Sequence, residues 1–444
     1  MPSFLSVLNP PASVTVTTGE EILRLSQSGS LYTARDVVVE THPSGGELVV
    51  SVGAETTPLE RIHLRWPLDL TAETAAPDGL RFLGDAWERG YGDLEWRGLI
   101  PERIMPWYFL AYDGRVTHGC GVKTQPGAMC FWMVDSRGVN LWLDVRNGGG
   151  PVELGGRTLE AARVAARQSA PGEPPFAAAR EFCRLLCANP RLPGQPVYGS
   201  NNWYYAYGES SHNEILEDAH LLVTLAPGGE NRPFMVIDAG WQPLSGGERL
   251  ENGICGGPYT GGNPRFPDMP ALARGIRQTG ARPGIWIRPL AAYPDDPESL
   301  LLPLKRAVDP SAMTKVADPS IPEVLQRVEA DFHLLHEWGY ELIKHDWATC
   351  DTFGRWGFQM GAALTTPGWH FNDRSRTTAE ITLDLYRAIR RGAGDSLVIG
   401  CNTIGHLGAG LFELQRNGDD TSGREWERTR KYGINSLAFR APQH

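Results

Sequence analysis

The feature that most constrains the fold is an alternation of short apolar runs and helical patterns that begins near residue 196. Most of the runs are apolar throughout, as strands buried on both faces should be. Repeated strand–helix units indicate a parallel sheet, either open or closed into a barrel. The expected strands are Val197–Tyr205, Phe234–Ala239, Pro283–Pro289, Glu341–Asp346, Ser396–Asn402, Phe412–Asn417 and Ile434–Phe439.

Two features favour the barrel over an open sheet. Polar and aromatic residues stand at the ends of these strands, where the active site of a (β/α)8 barrel is built. No glycine-rich phosphate loop follows the first strand, as it would in a doubly wound nucleotide-binding fold. Because the chain stops at His444, directly after the seventh run, the sequence predicts a TIM-type barrel truncated after strand seven and open on one side. The segment between Asn402 and Phe412 is short for a parallel crossover.

The preceding part of the chain is of a different kind. Short alternating or apolar stretches, separated by Gly, Pro and Asp, predict an antiparallel β-sandwich over residues 1–170. Residues 171–195 are expected to form a helical linker that ends in a Pro-rich boundary, and residues 196–444 form the barrel domain. The sandwich strands are expected at 31–39, 46–52, 61–68, 105–112, 129–134 and 140–145.

Composition excludes several functional classes. The net charge is −10 and no Lys/Arg run is present, which argues against nucleic-acid and membrane partners. No secretory signal is visible at the start, and the seven scattered cysteines indicate reduced thiols, so a cytoplasmic location is expected. Cys183 and Cys187 are four residues apart in an expected helix. We interpret them as helix thiols rather than a metal pair, because no second pair accompanies them.

Three carboxylates, those of Asp238, Asp346 and Asp420, are expected to meet at the barrel mouth with Lys344, Arg288 and Arg416. Charged residues at buried strand ends are costly unless they are paired or used, so a structural ion-pair network is one interpretation. The interleaved Trp and Asn residues favour a functional site. Two carboxylates across a Trp-lined cleft suit glycoside hydrolysis, with retention of configuration at a separation of about 5–5.5 Å.

Four motifs resemble the melibiase-type α-galactosidases: Val236-Ile-Asp-Ala-Gly-Trp241, Pro283-Gly-Ile-Trp286, Leu342-Ile-Lys-His-Asp346 and Arg416-Asn-Gly-Asp-Asp420. The resemblance runs from about residue 80 to the end. It implies an N-terminal β-supersandwich, a catalytic barrel and a retaining glycosidase. The segment Gly84–Trp96 resembles the part of the family's N-terminal domain that reaches over the sugar pocket.

The resemblance implies a role for each matched residue. Asp346 would be the nucleophile and Asp420 the acid/base. Lys344 and Asp238 would hold the galactose hydroxyls, and Arg416 with Cys401 and Asn402 would face the sugar near its 2-hydroxyl. The aromatic walls of the pocket would be Trp203, Trp241 and Trp286, with Trp87 as a candidate lid.

The chain departs from the family in two places. Ala239 follows Asp238 where the family often has a second acid, and Arg288 stands near the position of a common Glu. We therefore expect Arg288 to pair with Asp238 or Asp346, or to bind an anionic group of an altered glycone.

Three functions remain open at this point. The first is a retaining α-galactosidase-like hydrolase of an oligosaccharide or glycoside. The second is a galactosyl transferase of the raffinose-synthase type, in which a sugar rather than water intercepts the same glycosyl-enzyme. The third is a non-catalytic carbohydrate-binding protein, which would not need both Asp346 and Asp420. No cofactor or metal is implied, because acetal hydrolysis by two carboxyl groups needs neither. Since melibiase-type enzymes are often oligomers, the resemblance also allows a homo-oligomer.

Overall fold

The computed structural model describes residues 3–19, 21–72, 79–88, 94–226, 228–243, 257–310, 314–418, 420, 423–434, 440 and 443. Within these ranges, no helix combines the length and the apolar character that crossing a membrane requires.

The first part of the chain is built from antiparallel strands. They are β1 (Ser13–Thr18), β2 (Glu21–Arg24), β3 (Ser26–Ser28), β4 (Leu31–Ala34), β5 (Val37–Ser44), β6 (Glu47–Gly53), β7 (Arg61–Pro67), β8 (Arg81–Gly84), β9 (Met105–Pro106), β10 (Tyr108–Tyr112), β11 (Thr117–Val122), β12 (Met129–Asp135), β13 (Gly138–Asp144) and β14 (Thr158–Gln168). A 3₁₀ helix, Phe4–Leu8, precedes them.

These strands form two sheets that face each other across an apolar core. One sheet has the order β2-β1-β7-β13-β12-β9 and the other the order β3-β4-β5-β6-β14-β11-β10-β8. Phe109 of the second sheet packs edge-on against Trp132 of the first, with ring centroids 5.7 Å apart. Alternate residues of β1 and β7 point into this core, among them Val14, Val16 and Ile62. Each of the six expected stretches overlaps at least one strand.

A third sheet contains six parallel strands in sequence order and curls into a half-barrel. Its strands are β15 (Gly199–Asn201), β16 (Phe234–Ile237), β17 (Arg282–Ile287), β18 (Leu342–His345), β19 (Leu397–Gly400) and β20 (Leu414–Gln415). β16 is buried along its whole length, which explains its uniformly apolar sequence. β18 is also buried throughout, although it ends in Lys344 and His345.

Helices connect and cover these strands. They are α1 (Pro175–Leu186), α2 (Trp203–Ala206), α3 (His212–Leu225), α4 (Met269–Thr279), α5 (Pro322–Glu337), α6 (Ala348–Phe353), α7 (Thr378–Gly392), α8 (Gly405–Gly408) and α9 (Trp426–Ile434). Short 3₁₀ helices lie at Glu298–Leu300, Leu304–Arg306 and Gly357–Gln359. The apolar stripe of α5 is buried, including Phe332 and Leu335, and it packs on α7.

The structure corrects the expected strand list at both ends. The first strand is only Gly199–Asn201, and the following Trp203 begins α2 instead of extending the strand. The described part of the parallel sheet has six strands rather than seven. Of the expected seventh strand, Ile434 ends α9, and 435–439 lie outside the described residues.

The short crossover before β20 is real. Its helix, α8, spans only Gly405–Gly408, yet β19 and β20 pair in parallel with Ile399 opposite Leu414. The carboxyl ends of all six strands therefore meet at one rim, where the candidate site is built.

Candidate functional site

Asp346 follows β18 and is held by two hydrogen-bond donors. Its Oδ1 accepts from the backbone N–H of Trp347 at 2.8 Å, and its Oδ2 accepts from Nε1 of Trp286 at 3.1 Å. Trp286 reaches it from the neighbouring strand, because β17 and β18 pair with Trp286 opposite Lys344. The carboxylate is thus fixed in one orientation at the rim of the half-barrel.

Charge keeps this carboxylate ionised. Burial is the largest single effect and would raise the pKa of Asp346, but the cations of Lys344 and Arg416, together with the two N–H donors, hold the pKa below its usual range. An ionised, oriented carboxylate at a strand end is competent to act as a nucleophile.

Lys344 and Asp238 form a buried ion pair beside it. Nζ of Lys344 lies 2.6 Å from Oδ2 of Asp238, and the two side chains are 10% and 4% exposed. Asn201 donates to the same oxygen at 2.6 Å, and Asn202 accepts from the Asp238 N–H at 2.7 Å. Burial would lower the pKa of Lys344, but Cys401, Asp238 and Asp346 together raise it above its ordinary value.

Asp420 lies beyond the end of β20 with its side chain about half exposed. Its Oδ1 lies 2.5 Å from Nη1 of Arg416 and accepts a hydrogen bond from the Tyr204 hydroxyl at 3.3 Å. Burial, followed by the charge of Asp420, raises the pKa of Tyr204 to about 12. Tyr204 belongs to α2 and was not among the expected site residues. The expected carboxyl separation of about 5–5.5 Å stays a prediction.

The four tryptophans occupy different environments. Trp286 lies in the site, whereas Trp241 is fully buried, donates to the Trp286 carbonyl at 2.9 Å and packs on Tyr259 and Trp338. Trp241 is therefore a core residue that holds the backbone of Trp286 and does not itself line the site.

The remaining two tryptophans also differ from each other. Trp203 is half-buried and packs edge-on against Tyr207. Trp87 is only 2% exposed, packs edge-on against Trp107 and donates to the Gly361 carbonyl. A buried indole held on both sides is a core residue, so the structure does not support the expectation of a lid at Trp87.

The expected partners of Arg288 are wrong. Its guanidinium forms a bidentate pair with Asp351, with Nε–Oδ2 at 2.8 Å and Nη2–Oδ1 at 2.5 Å. The two side chains are 4% and 0% exposed. The guanidinium also lies over the Trp347 ring, 4.6 Å from its centroid. Buried and paired in this way, it does not present a cation to an anionic glycone.

Cys401 and Asn402 follow β19 at the same rim. Cys401 is fully buried, and burial followed by the charge of Asp346 raises the pKa of its thiol well above the ordinary value. The side-chain amide of Asn402 donates to Oε1 of Glu88 at 2.8 Å.

Glu88 is a site residue that the sequence analysis missed. It is 0% exposed, and its Oε2 accepts from the Gly357 N–H at 2.9 Å. Burial raises its pKa to about 8, against the lowering effects of Asn402, Arg416 and Gly357, and Asp346 raises it further. Its only sequence signal was its place in the Gly84–Trp96 segment, of which 89–93 lie outside the described residues.

Several solved α-galactosidase structures have a fold similar to that of this chain. An α-galactosidase from Thermus thermophilus in complex with p-nitrophenyl α-D-galactopyranoside has a TM-score of 0.54 at 15% identity, over 94% of this chain and 78% of that one. A GH36 α-galactosidase from Geobacillus stearothermophilus in complex with stachyose has a TM-score of 0.59 at 14% identity, over 96% and 64%. The α-galactosidase from Lactobacillus brevis has 0.58 at 14%, over 96% and 61%.

No protein-family model and no curated protein matches the sequence. The structural likeness therefore establishes a GH36-like fold, with antiparallel sheets followed by a half-barrel. The chain spans less than two thirds of the Geobacillus and Lactobacillus chains that it resembles.

Proposed function

We propose that the protein is a retaining α-galactosidase-like glycoside hydrolase that releases terminal α-linked galactosyl or related residues by double displacement. The observation that carries the proposal is Asp346, a carboxylate kept ionised by Lys344 and Arg416 and oriented by two N–H donors at a strand end. The solved structures of similar fold include galactoside complexes. We also propose the domain division 1–170 sandwich, 171–195 linker and 196–444 barrel.

In the first step, Asp346 attacks the anomeric carbon. A bond forms between that carbon and a carboxylate oxygen while the glycosidic C–O bond breaks. Asp420 gives its proton to the departing oxygen, so the leaving group departs as a neutral alcohol. The product is a covalent glycosyl-enzyme.

In the second step, Asp420 acts as the base. It takes a proton from water as the water oxygen bonds to the anomeric carbon, and the bond to Asp346 breaks. The sugar leaves with its original anomeric configuration, Asp346 is again a carboxylate, and Asp420 is again protonated.

The pocket chemistry favours an uncharged sugar. The buried Lys344–Asp238 pair offers both a donor and an acceptor, which suits adjacent hydroxyls. Trp286 supplies an apolar face next to Asp346. Since Arg288 is neutralised by Asp351, the reason for expecting an anionic glycone is removed. This argument supports galactose or a close relative.

The galactosyl transferase uses the same two carboxyl groups and differs only in whether a sugar or water intercepts the glycosyl-enzyme. A panel of aryl α-glycosides, assayed with and without sugar acceptors, separates it from the hydrolase. The carbohydrate-binding alternative predicts sugar binding with no turnover on any member of the panel.

The nucleophile is tested by Asp346→Gly. We expect turnover of p-nitrophenyl α-galactoside to fall by about 10⁴-fold or more, because no covalent intermediate can form. Added azide should restore activity and give the β-galactosyl azide, measured by p-nitrophenol release and by NMR of the product. The matched variant is Asp420→Gly, in which the good leaving group still departs and the glycosyl-enzyme accumulates.

If Asp346→Gly cleaves a substrate of the wild-type enzyme at the wild-type rate, the nucleophile is another residue. Inversion of configuration in the product of the wild-type enzyme would exclude the double displacement.

A further inference from the structure

Trp347, the residue directly after Asp346, has an unfavourable backbone conformation. Its φ is +67° and its ψ is −9°, in the left-handed region that bulky L-residues rarely adopt. Such strain persists only where surrounding contacts enforce it, and it concentrates at functional sites. The contacts around Trp347 therefore need an explanation.

A closed set of contacts holds this conformation. The Arg288 guanidinium covers the Trp347 ring at 4.6 Å and pairs with both oxygens of Asp351. The Asp351 N–H in turn donates to the Trp347 carbonyl at 2.8 Å. Arg288 thus contacts the ring of Trp347, and Asp351 contacts its backbone carbonyl.

Two further contacts complete the enclosure. The Trp356 ring lies against the Trp347 ring with centroids 4.8 Å apart. Nε of Arg306 donates to the Asp351 carbonyl at 2.8 Å and fixes the segment that carries the carboxylate. The contacts of Arg288 and Asp351 with Trp347 are therefore supported by the segments that carry Trp356 and Arg306.

The strained residue takes part directly in the site: its N–H, in the peptide unit shared with Asp346, donates to Oδ1 of Asp346 at 2.8 Å. A backbone donor fixed in this way both orients a carboxylate and favours its ionised form. Both flanks of this peptide unit are held, by the hydrogen bond from the Asp346 N–H to the Ile287 carbonyl and by the contacts of Trp347 with Arg288 and Asp351. Relaxation of φ at Trp347 therefore requires a compensating change of ψ at Asp346, and this rotation of the shared peptide unit would turn the N–H away from Oδ1.

We propose that Arg288 is a positioning residue, which acts with Asp351 to hold Trp347 in the left-handed conformation that orients the carboxylate of Asp346. The proposal rests on the proposed function, in which Asp346 is the nucleophile. In this proposal Arg288 acts on Asp346 through Trp347 and does not contact the substrate.

The test uses Arg288→Lys, which keeps the positive charge but loses the planar bidentate pair and the stacking. We expect kcat/KM on p-nitrophenyl α-galactoside to fall by about 10- to 100-fold, mostly in kcat. We also expect the pKa of Asp346 to rise by about one unit. The other charged or titratable neighbours of Asp346 stay unchanged: Lys344, Arg416, Glu88, His345 and Cys401.

The control is Arg327→Lys. Arg327 also pairs with two carboxylate oxygens, those of Asp296, and also stacks on an aromatic ring, that of Tyr293 at 4.3 Å. Within the described part of the chain, Arg327 makes no hydrogen bond or ion pair with Asp346, so neither kcat nor the Asp346 titration should change. A change in both variants would indicate a general effect of losing a buried arginine pair.

The titration does not depend on activity. Protein labelled with ¹³C at the Asp carboxyl carbons gives the pKa of each Asp by NMR, and Asp346→Asn identifies the signal. If the wild-type Asp346 titrates below the usual range but no glycoside is cleaved, the proposed function fails while the positioning proposal is still tested. An identical Asp346 titration in folded wild type and Arg288→Lys overturns the positioning proposal.

Trp347→Gly supplies a rescue experiment, because glycine adopts φ near +67° without strain. In the Trp347→Gly background, Arg288→Lys should no longer shift the pKa of Asp346, whereas a direct electrostatic role would leave the shift intact. If Arg288→Lys does not fold, Asp351→Asn, which keeps the size of the side chain, is measured in the same two backgrounds. If the substitution shifts the pKa of Asp346 equally in the wild-type and Trp347→Gly backgrounds, the proposal is overturned.

Discussion

At the scale of single residues, Glu88 shows how burial and hydrogen bonding compete for one carboxyl group. Both of its oxygens accept from N–H donors, those of Asn402 and Gly357, which favours the charged form. Complete burial favours the neutral form and prevails, because the pKa rises to about 8. Glu88 therefore carries a proton in the folded protein over a pH range where the unfolded chain has lost it.

This difference predicts a pH-dependent stability. Between pH 4.5, the ordinary value, and about 8, folding takes up a proton, so the free energy of unfolding falls as pH rises and levels off above about 8. In Glu88→Gln that contribution is absent. We expect the unfolding free energy of wild type minus variant to fall by about 1.4 kcal/mol per pH unit between about pH 5.5 and 7.5, measured by urea unfolding. A difference that is constant with pH would show that Glu88 does not titrate in this range.

At the scale of secondary-structure elements, the sequence was informative where a strand is buried on both faces. β16 is such a strand, and its uniformly apolar run identified it and the polar residues that follow. β18 is also fully buried, but only its first two residues, Leu342 and Ile343, are apolar. The partners of those polar residues depend on loops, which carry no periodic signal. Asp351 lies 63 residues from Arg288 in the sequence, and Glu88 lies 314 from Asn402, so neither pairing could be read from local pattern.

The start of α7 gives a testable element. Thr377 is its N-cap: the side-chain oxygen accepts from the Glu380 N–H at 3.1 Å, while the Glu380 carboxylate accepts from the Thr377 N–H at 2.9 Å. We expect Thr377→Ala to lower the free energy of unfolding by about 1 to 2 kcal/mol, because a capping box and a hydrogen bond to Gly127 are lost. Thr377→Ser keeps the hydroxyl and should lose less than half of that amount in the same denaturant titration. Equal losses would assign the effect to the methyl group instead.

At the scale of the whole molecule, the loop after β13 joins the antiparallel sheets to the half-barrel. The side-chain amide of Asn147 donates to the carbonyls of Asp373 and Arg376, both at 2.7 Å, and its oxygen accepts from the Phe371 N–H. Asn147 is fully buried. These bonds fix the segment that leads into α7, so this contact connects the two parts of the molecule.

Gly149 lies in that contact and leaves no room for a side chain. A Cβ at this position would be 1.9 Å from the Thr366 carbonyl oxygen and 2.8 Å from the Trp369 ring. We expect Gly149→Ala to lower the free energy of unfolding by about 3 kcal/mol, since backbone and a buried indole must move. Gly98→Ala is the control, because no atom lies within 4 Å of its Cβ position. If the contact couples the two parts, circular dichroism and tryptophan fluorescence of Gly149→Ala should report a single transition at lower temperature. Two separated transitions, with only the first one displaced, would show that the sheets and the half-barrel unfold independently.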